Sequence, residues 1–151
     1  MPTEPSHLTS HLGFWLRYVS NHVSQAFARK LESRNVTVAE WALLRELYDA
    51  ETIAPSRLAD RMGLTRGAVT KLADRLIAKD MVVRTANPDD ARAQTLAITA
   101  AGRDLVPVLS ALADGNDAEF FGHLDAGERS RLEATLKDLV ERRGLTAIPL
   151  S

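Results

Sequence analysis

The chain has 151 residues, 45% of them hydrophobic and 26% charged, with a formal net charge of −1. That length suits one compact unit with a real core. Cysteine is absent, which excludes disulfides, thiolate metal sites and thiol redox switching, and no apolar run is long enough to span a bilayer. The near-neutral total hides a division. Residues 55–99 hold 8 Lys/Arg against 5 Asp/Glu, a net +3, whereas residues 1–54 carry −1 and residues 100–151 carry −3. Phosphate responds to local charge, so the basic middle is compatible with nucleic acid whatever the total. The start, MPTEPSHLTS, lacks the basic and then apolar plan of a secretory leader, and a cytoplasmic location is expected.

Taken in order, residues 1–9 are polar, contain two prolines, and read as a flexible tail. Residues 10–33 predict a long helix, with Leu12, Trp15, Leu16, Val19, Val23, Ala26, Phe27 and Leu31 at three- and four-residue steps and Thr9 or Ser10 as cap. A rod of roughly 36 Å is long for so small a unit, and part of its stripe calls for a partner. Thr37-Val38-Ala39-Glu40 is a capping box opening a second helix, with Trp41, Leu44, Leu47 and Tyr48 inward. Pro55 opens a third behind Ala54, a poor cap.

Ala59, Gly63, Val69 and Leu72 then stand at the spacing of two short helices crossing at a tight turn. Gly63 supplies the positive φ, and the second helix runs over about residues 65–79 with Thr65 as cap. Its outer face carries Arg66, Gly67, Thr70, Lys71 and Arg75. A helix-turn-helix with a basic outer face is a device for reading DNA. Residues 81–85 and 95–99 read as strands around the turn cluster Asn87-Pro88-Asp89-Asp90, so a wing covers about residues 82–99. Arg84 at its start is a phosphate contact or a partner for Asp89 or Asp90.

Thr99 caps a further helix in which Pro107 should bend the axis and residues 113–117 interrupt it. Asp125-Ala126-Gly127-Glu128 is a second capping box. It opens a last helix with Leu132, Leu136, Leu139 and Val140 inward, closed by Arg142, Arg143 and Gly144. Leu145, Ile148 and Leu150 in the tail can pack on a neighbour. The fold class is therefore mainly α with a small β-hairpin wing.

This order resembles the MarR family of bacterial winged-helix regulators over about residues 11–143. The specific pieces are VTVAEWALLREL at 36–47, LADRMGLTRGAVT at 58–70, and a wing in which Asp90 and Arg92 fill a D-x-R pattern. Ile98-Thr99-Ala100-Ala101-Gly102 then follows, like the family's L-T-x-x-G with Ile in place of Leu. Asp80 stands where the family commonly ends the recognition helix with Gly. The resemblance implies a homodimer, with residues 10–36 and 100–145 as dimerisation helices, 37–99 as the winged helix-turn-helix and 146–151 as a C-terminal tail. It implies double-stranded DNA at a palindromic operator as partner, repression as the usual outcome, and Arg92 in a minor groove with Asp90 orienting it. It also implies a small, aromatic effector between lobe and winged helix. Trp15, Tyr18 and Trp41 are the candidates to line that site, with core packing as the competing role of such aromatics. Two other readings stand beside this one: a winged-helix module for a protein partner, and a DNA binder without ligand.

Catalysis finds no support. His7, His11, His22 and His123 form no constellation with a nucleophile, and no glycine-rich phosphate loop exists. His7 and His11 are four apart but lack a third ligand, so neither a metal nor a cofactor is expected.

Overall fold

Local capping chemistry sets most of the element boundaries. The computed structural model describes residues 3–87 and 89–150, without the side chains of Asn87, Ala91 and Arg92. In chain order it runs α1 (Leu12–Glu32), α2 (Val38–Tyr48), α3 (Pro55–Met62), α4 (Arg66–Ala78), β1 (Val82–Asn87), β2 (Asp90–Ile98), α5 (Ala100–Phe121) and α6 (Ala126–Arg142). Both expected capping boxes form, Thr37 with Glu40 and Asp125 with Glu128. The Thr65 and Thr99 hydroxyls accept from Ala68 N–H and Gly102 N–H. Each such cap stabilises its helix by about 1 kcal/mol. Ala54 offers no side-chain cap, and Pro55 occupies the first turn of α3 as expected.

Three expectations are corrected. First, α1 begins at Leu12, and neither Thr9 nor Ser10 caps it. Leu8–Ser10 instead form a 3-10 turn in which the Ser10 hydroxyl donates to the His7 carbonyl at 2.7 Å. The Thr9 carbonyl accepts from Trp15 Nε1 at 2.9 Å. Second, α5 runs unbroken through residues 113–117. Asn116 is buried there; its Nδ2 donates to the Val23 carbonyl at 3.2 Å and its Oδ1 accepts from Lys30 Nζ at 2.8 Å. Bonding to α1 overrides the weak local preference of Gly115 and Asn116 for helix. Third, the returning strand starts at Asp90, not Thr95. The register runs from Val82↔Ile98 to Ala86↔Gln94 and then shifts, so that Asn87 faces Asp90 and β2 carries the surplus residues.

The core lies in the winged-helix body. Leu43, Leu44, Leu58, Met62, Val69, Leu76 and Leu96 are fully buried, joined by Leu31 from the end of α1 and Leu109 from α5. Ile53 and Leu96 exchange both backbone hydrogen bonds, at 3.0 and 2.8 Å, which stitches the segment before α3 to the wing. On α2, Glu40 and Leu43 join Leu44 and Leu47 on the buried face, while Trp41 and Tyr48 are half-buried.

The terminal helices differ. No residue of α6 is buried, and Leu132, Leu136, Leu139 and Val140 are 39–47% exposed. In α1, Leu12, Trp15, Leu16, Tyr18 and Val19 are exposed and only Ala26 and Leu31 are buried. The apolar stripes exist where the sequence puts them, but α6 and the first half of α1 leave theirs largely open to solvent. No helix among those residues is long and apolar enough to cross a membrane.

Candidate nucleic-acid interface

The turn between α3 and α4 is built as its spacing requires. Gly63 has φ +66°, Ala59 is buried on α3, and Val69 and Leu72 are buried on α4. Burying those positions turns Arg66, Gly67, Thr70, Lys71 and Arg75 outward, and all five are exposed. Among the described residues no carboxylate forms an ion pair with Arg66, Lys71 or Arg75. Arg66 is the first residue of α4, where unsatisfied amides and the helix dipole favour an anion. Nothing lies within 4 Å of where a Gly67 Cβ would stand, so no contact inside the chain demands glycine there.

The two threonines offer different chemistry. Thr65 Oγ1 accepts from Ala68 N–H at 3.1 Å and keeps its own proton to donate. The Thr70 hydroxyl donates to the Arg66 carbonyl at 2.9 Å, so what it presents outward is an acceptor. An acceptor suits a base amino group and not a phosphate oxygen.

Asp74, which sequence reasoning passed over, lies exposed on α4 and takes the Arg84 guanidinium at 2.7 Å. Arg84 therefore pairs with Asp74 and braces the root of the wing against α4. Asp90 opens β2 opposite Asn87 and is exposed. Arg92 lies in β2 within the irregular part of the hairpin, and its side chain is outside the described residues.

The far end of α4 is fixed by two devices. Asp80 sits at φ +63° in a Schellman turn, with Met81 N–H bonded to Leu76 O at 2.9 Å and Asp80 N–H to Ile77 O at 3.0 Å. Aspartate thus takes the left-handed position that glycine would take more easily. Lys79 donates to the fully buried Glu40 carboxylate at 2.8 Å and to the Asn35 carbonyl at 2.7 Å. Burial pushes the Glu40 carboxyl up, but hydrogen bonds from Lys79 and Thr37 together hold it below the ordinary glutamate value. Sequence reasoning gave Glu40 only its capping role. The i to i+3 signal names the cap, whereas the partner 39 residues away leaves no periodic trace. Gly102 has a comparable reason: a Cβ there would come within 2.3 Å of the Met81 carbonyl, where the wing meets α5.

The three aromatic candidates do not share one site. Trp41 lines a cleft of about 320 Å³ between α1, α2 and α5, with Val23, Phe27, Val38, Asn116 and Pro149. Tyr18 borders a separate open groove of about 650 Å³ along α1, with Phe14, Arg17 and His22. Trp15 stacks with Tyr18, ring centroids 6.5 Å apart, on that same exposed part of α1.

The sequence profile of the MarR family matches residues 34–93, which hold the α1–α2 turn, the helix-turn-helix and most of the wing. Over those residues the chain matches the MarR family of regulators. Members of this family are transcriptional regulators, not enzymes. The chain is similar to the transcriptional regulator SarZ of Staphylococcus epidermidis, 26% identical over 142 residues that cover 94% of this chain and 95% of SarZ. It is also similar to the solved structure of a mutant MarR from Escherichia coli complexed with operator DNA. There the identity is 27% and the TM-score 0.75, over 85% of this chain and 93% of that one. CouR from Rhodococcus jostii, solved with p-coumaroyl-CoA bound, is similar at 26% identity and TM-score 0.75, over 89% of this chain and 95% of CouR. The winged-helix architecture of this chain is thus shared with these regulators over nearly its whole length.

Proposed function

We propose that the chain is a homodimeric repressor that binds double-stranded DNA at a palindromic operator and is released by a small, aromatic effector. The observation that carries the DNA reading is the outward face of α4, with Arg66, Lys71 and Arg75 exposed and uncommitted to carboxylates among the described residues. In this reading α4 enters the major groove, Thr65, Arg66 and Lys71 meet phosphates, and Arg75 and Thr70 reach base edges. Arg92 at the wing enters the adjacent minor groove, steadied by Asp90, and Arg84 sets the wing angle through Asp74. The MarR–operator complex among its relatives supports this arrangement.

The homodimer follows from the uncovered stripes of α1 and α6. A two-fold axis through them would set two copies of α4 about one DNA turn apart, roughly 34 Å. The cleft beside Trp41 supports the effector, and CouR with its p-coumaroyl ligand gives a related precedent. Release requires that the effector bind the DNA-incompetent arrangement more tightly, a coupling of typically about 1–3 kcal/mol.

Fluorescence anisotropy with DNA flanking the gene tests the first claim. Arg66→Ala should weaken binding about equally across DNA sequences and lower the salt slope by about 1. An unchanged affinity would overturn the docking of α4, and no protected palindrome at low salt would overturn the DNA reading itself. A thermal-shift screen of hydroxylated aromatic acids tests the effector. A compound that both raises the melting temperature and lowers operator affinity is expected, and a screen with none removes the effector.

A further inference from the structure

The C-terminal tail has one backbone contact that a loose end would not make. At Gly144, φ +60°, a Schellman turn ends α6 and sends residues 145–150 back toward the helix-turn-helix. A Cβ on Gly63 would lie 2.4 Å from Ala147 Cα and 2.9 Å from both the Ala147 nitrogen and the Thr146 carbonyl oxygen. Gly63 is therefore glycine for two reasons: its positive φ, and the backbone lying against it. The next residue, Ile148, donates its N–H to the Met62 carbonyl at 3.4 Å, in the last turn of α3. Pro149 forms part of the wall of the cleft that holds Trp41, and Leu150 is half-buried against the core. Three consecutive residues thus touch the turn that aims α4, the end of α3, and the cleft between α1, α2 and α5. The other end of the tail continues from α6.

We infer that residues 146–149 are a positioning strap, which ties α6 to the α3–α4 turn and fixes the reading helix relative to the terminal helices. Ala147 and Ile148 act through Gly63 and Met62, not by touching DNA. Because Pro149 walls the Trp41 cleft, a molecule entering there pushes on the same strap. This inference rests on the dimeric DNA-binding reading above. Its physical consequence is geometric: one base pair changes the half-site separation by about 3.4 Å. A strapped reading head rejects that change, whereas a head on slack chain absorbs part of it.

The test compares the full chain with a chain ending at Gly144 and with Ile148→Pro, which removes the N–H bonded to the Met62 carbonyl without removing the tail. Each is titrated against the operator and against versions with one base pair inserted or deleted at its centre. The full chain should discriminate between spacings, and both variants should lose discrimination by about fivefold, the lower end of ordinary coupling between sites. In a Trp15→Phe background, which leaves Trp41 as the only tryptophan, acrylamide quenching should rise on truncation as the cleft wall is lost. Unchanged spacing ratios in both variants overturn the strap, whatever the quenching does. A full chain that binds no DNA overturns the underlying reading and this inference with it, and the full-chain titration identifies that case.

Discussion

Residues 36–109 hide Leu43, Leu44, Leu58, Leu76 and Leu96 completely, whereas α6 buries none of Leu132, Leu136, Leu139 or Val140. Both regions carry apolar residues at helical spacing, and both open on well-formed capping boxes. The difference lies in what stands opposite. Around α4, helices α2 and α3 and the wing close on one another from within the same chain. Around α6 the own-chain ties among the described residues include the Arg129–Asp117 ion pair at 2.7 Å and the tail, and an open groove separates Leu132 and Leu136 from Phe121 and Leu124. A 17-residue helix is marginal in water by itself. Periodicity therefore tells which face is to be buried, but not which molecule buries it.

The strongest way to test the self-sufficiency of the body is Leu76→Ala. It should cost about 2–5 kcal/mol of unfolding free energy in urea titration, because a fully packed site is left with a cavity. Leu136→Glu probes the other side of the contrast. It should leave that unfolding step of the body in place while shifting sedimentation from dimer to monomer, with a loss of about 2–3 kcal/mol in self-association. A dimer that survives Leu136→Glu would remove α6 from the interface.

Acid sharpens the contrast, since the clamp that holds α4 is ionic. The folded Glu40 carboxyl is held below its unfolded value. Its contribution to stability is therefore present above the unfolded value and is lost as pH falls through the folded one. Glu40→Gln should flatten that acid limb in thermal melts, and an identical pH profile would show that Lys79 contributes nothing through it. The smallest effect has two signs. Gly67→Ala should stabilise the fold by about 1 kcal/mol, since helix propensity rises and the site is open. On the docking proposed for α4, the same change should weaken operator binding, because the added methyl group faces the DNA backbone. Improved binding would place that approach elsewhere.

What the sequence showed was whatever is local. Thr37 with Glu40, Asp125 with Glu128, the Thr65 and Thr99 caps, and the glycine of the turn all act across three or four residues, and each stands where the pattern placed it. What stayed hidden acts at a distance. Asp74 claims Arg84, Lys79 reaches Glu40, Asn116 holds α5 straight by bonding to α1, and Ala147 covers Gly63. None of these pairs alters the spacing of apolar residues, which is the signal that a sequence carries most clearly. The wing shows both cases. Its existence followed from a turn cluster between alternating runs, but its extra residues at 91–93 follow only from the register.

The pair of backbone hydrogen bonds between Ile53 and Leu96 divides the hairpin into two zones with separate tolerances. From Val82 to Ala86 and from Gln94 to Ile98 the strands are paired in step, and Leu96 is anchored in the core. Beyond Ala86 the step is broken, and Asp89, Asp90 and Ala93, the outer residues whose side chains are described, are exposed. Mutational drift and inserted residues should therefore collect in the outer loop, where they alter which sequences are read without disturbing folding. A library randomised at that loop alone would yield regulators of new preference on an unaltered scaffold.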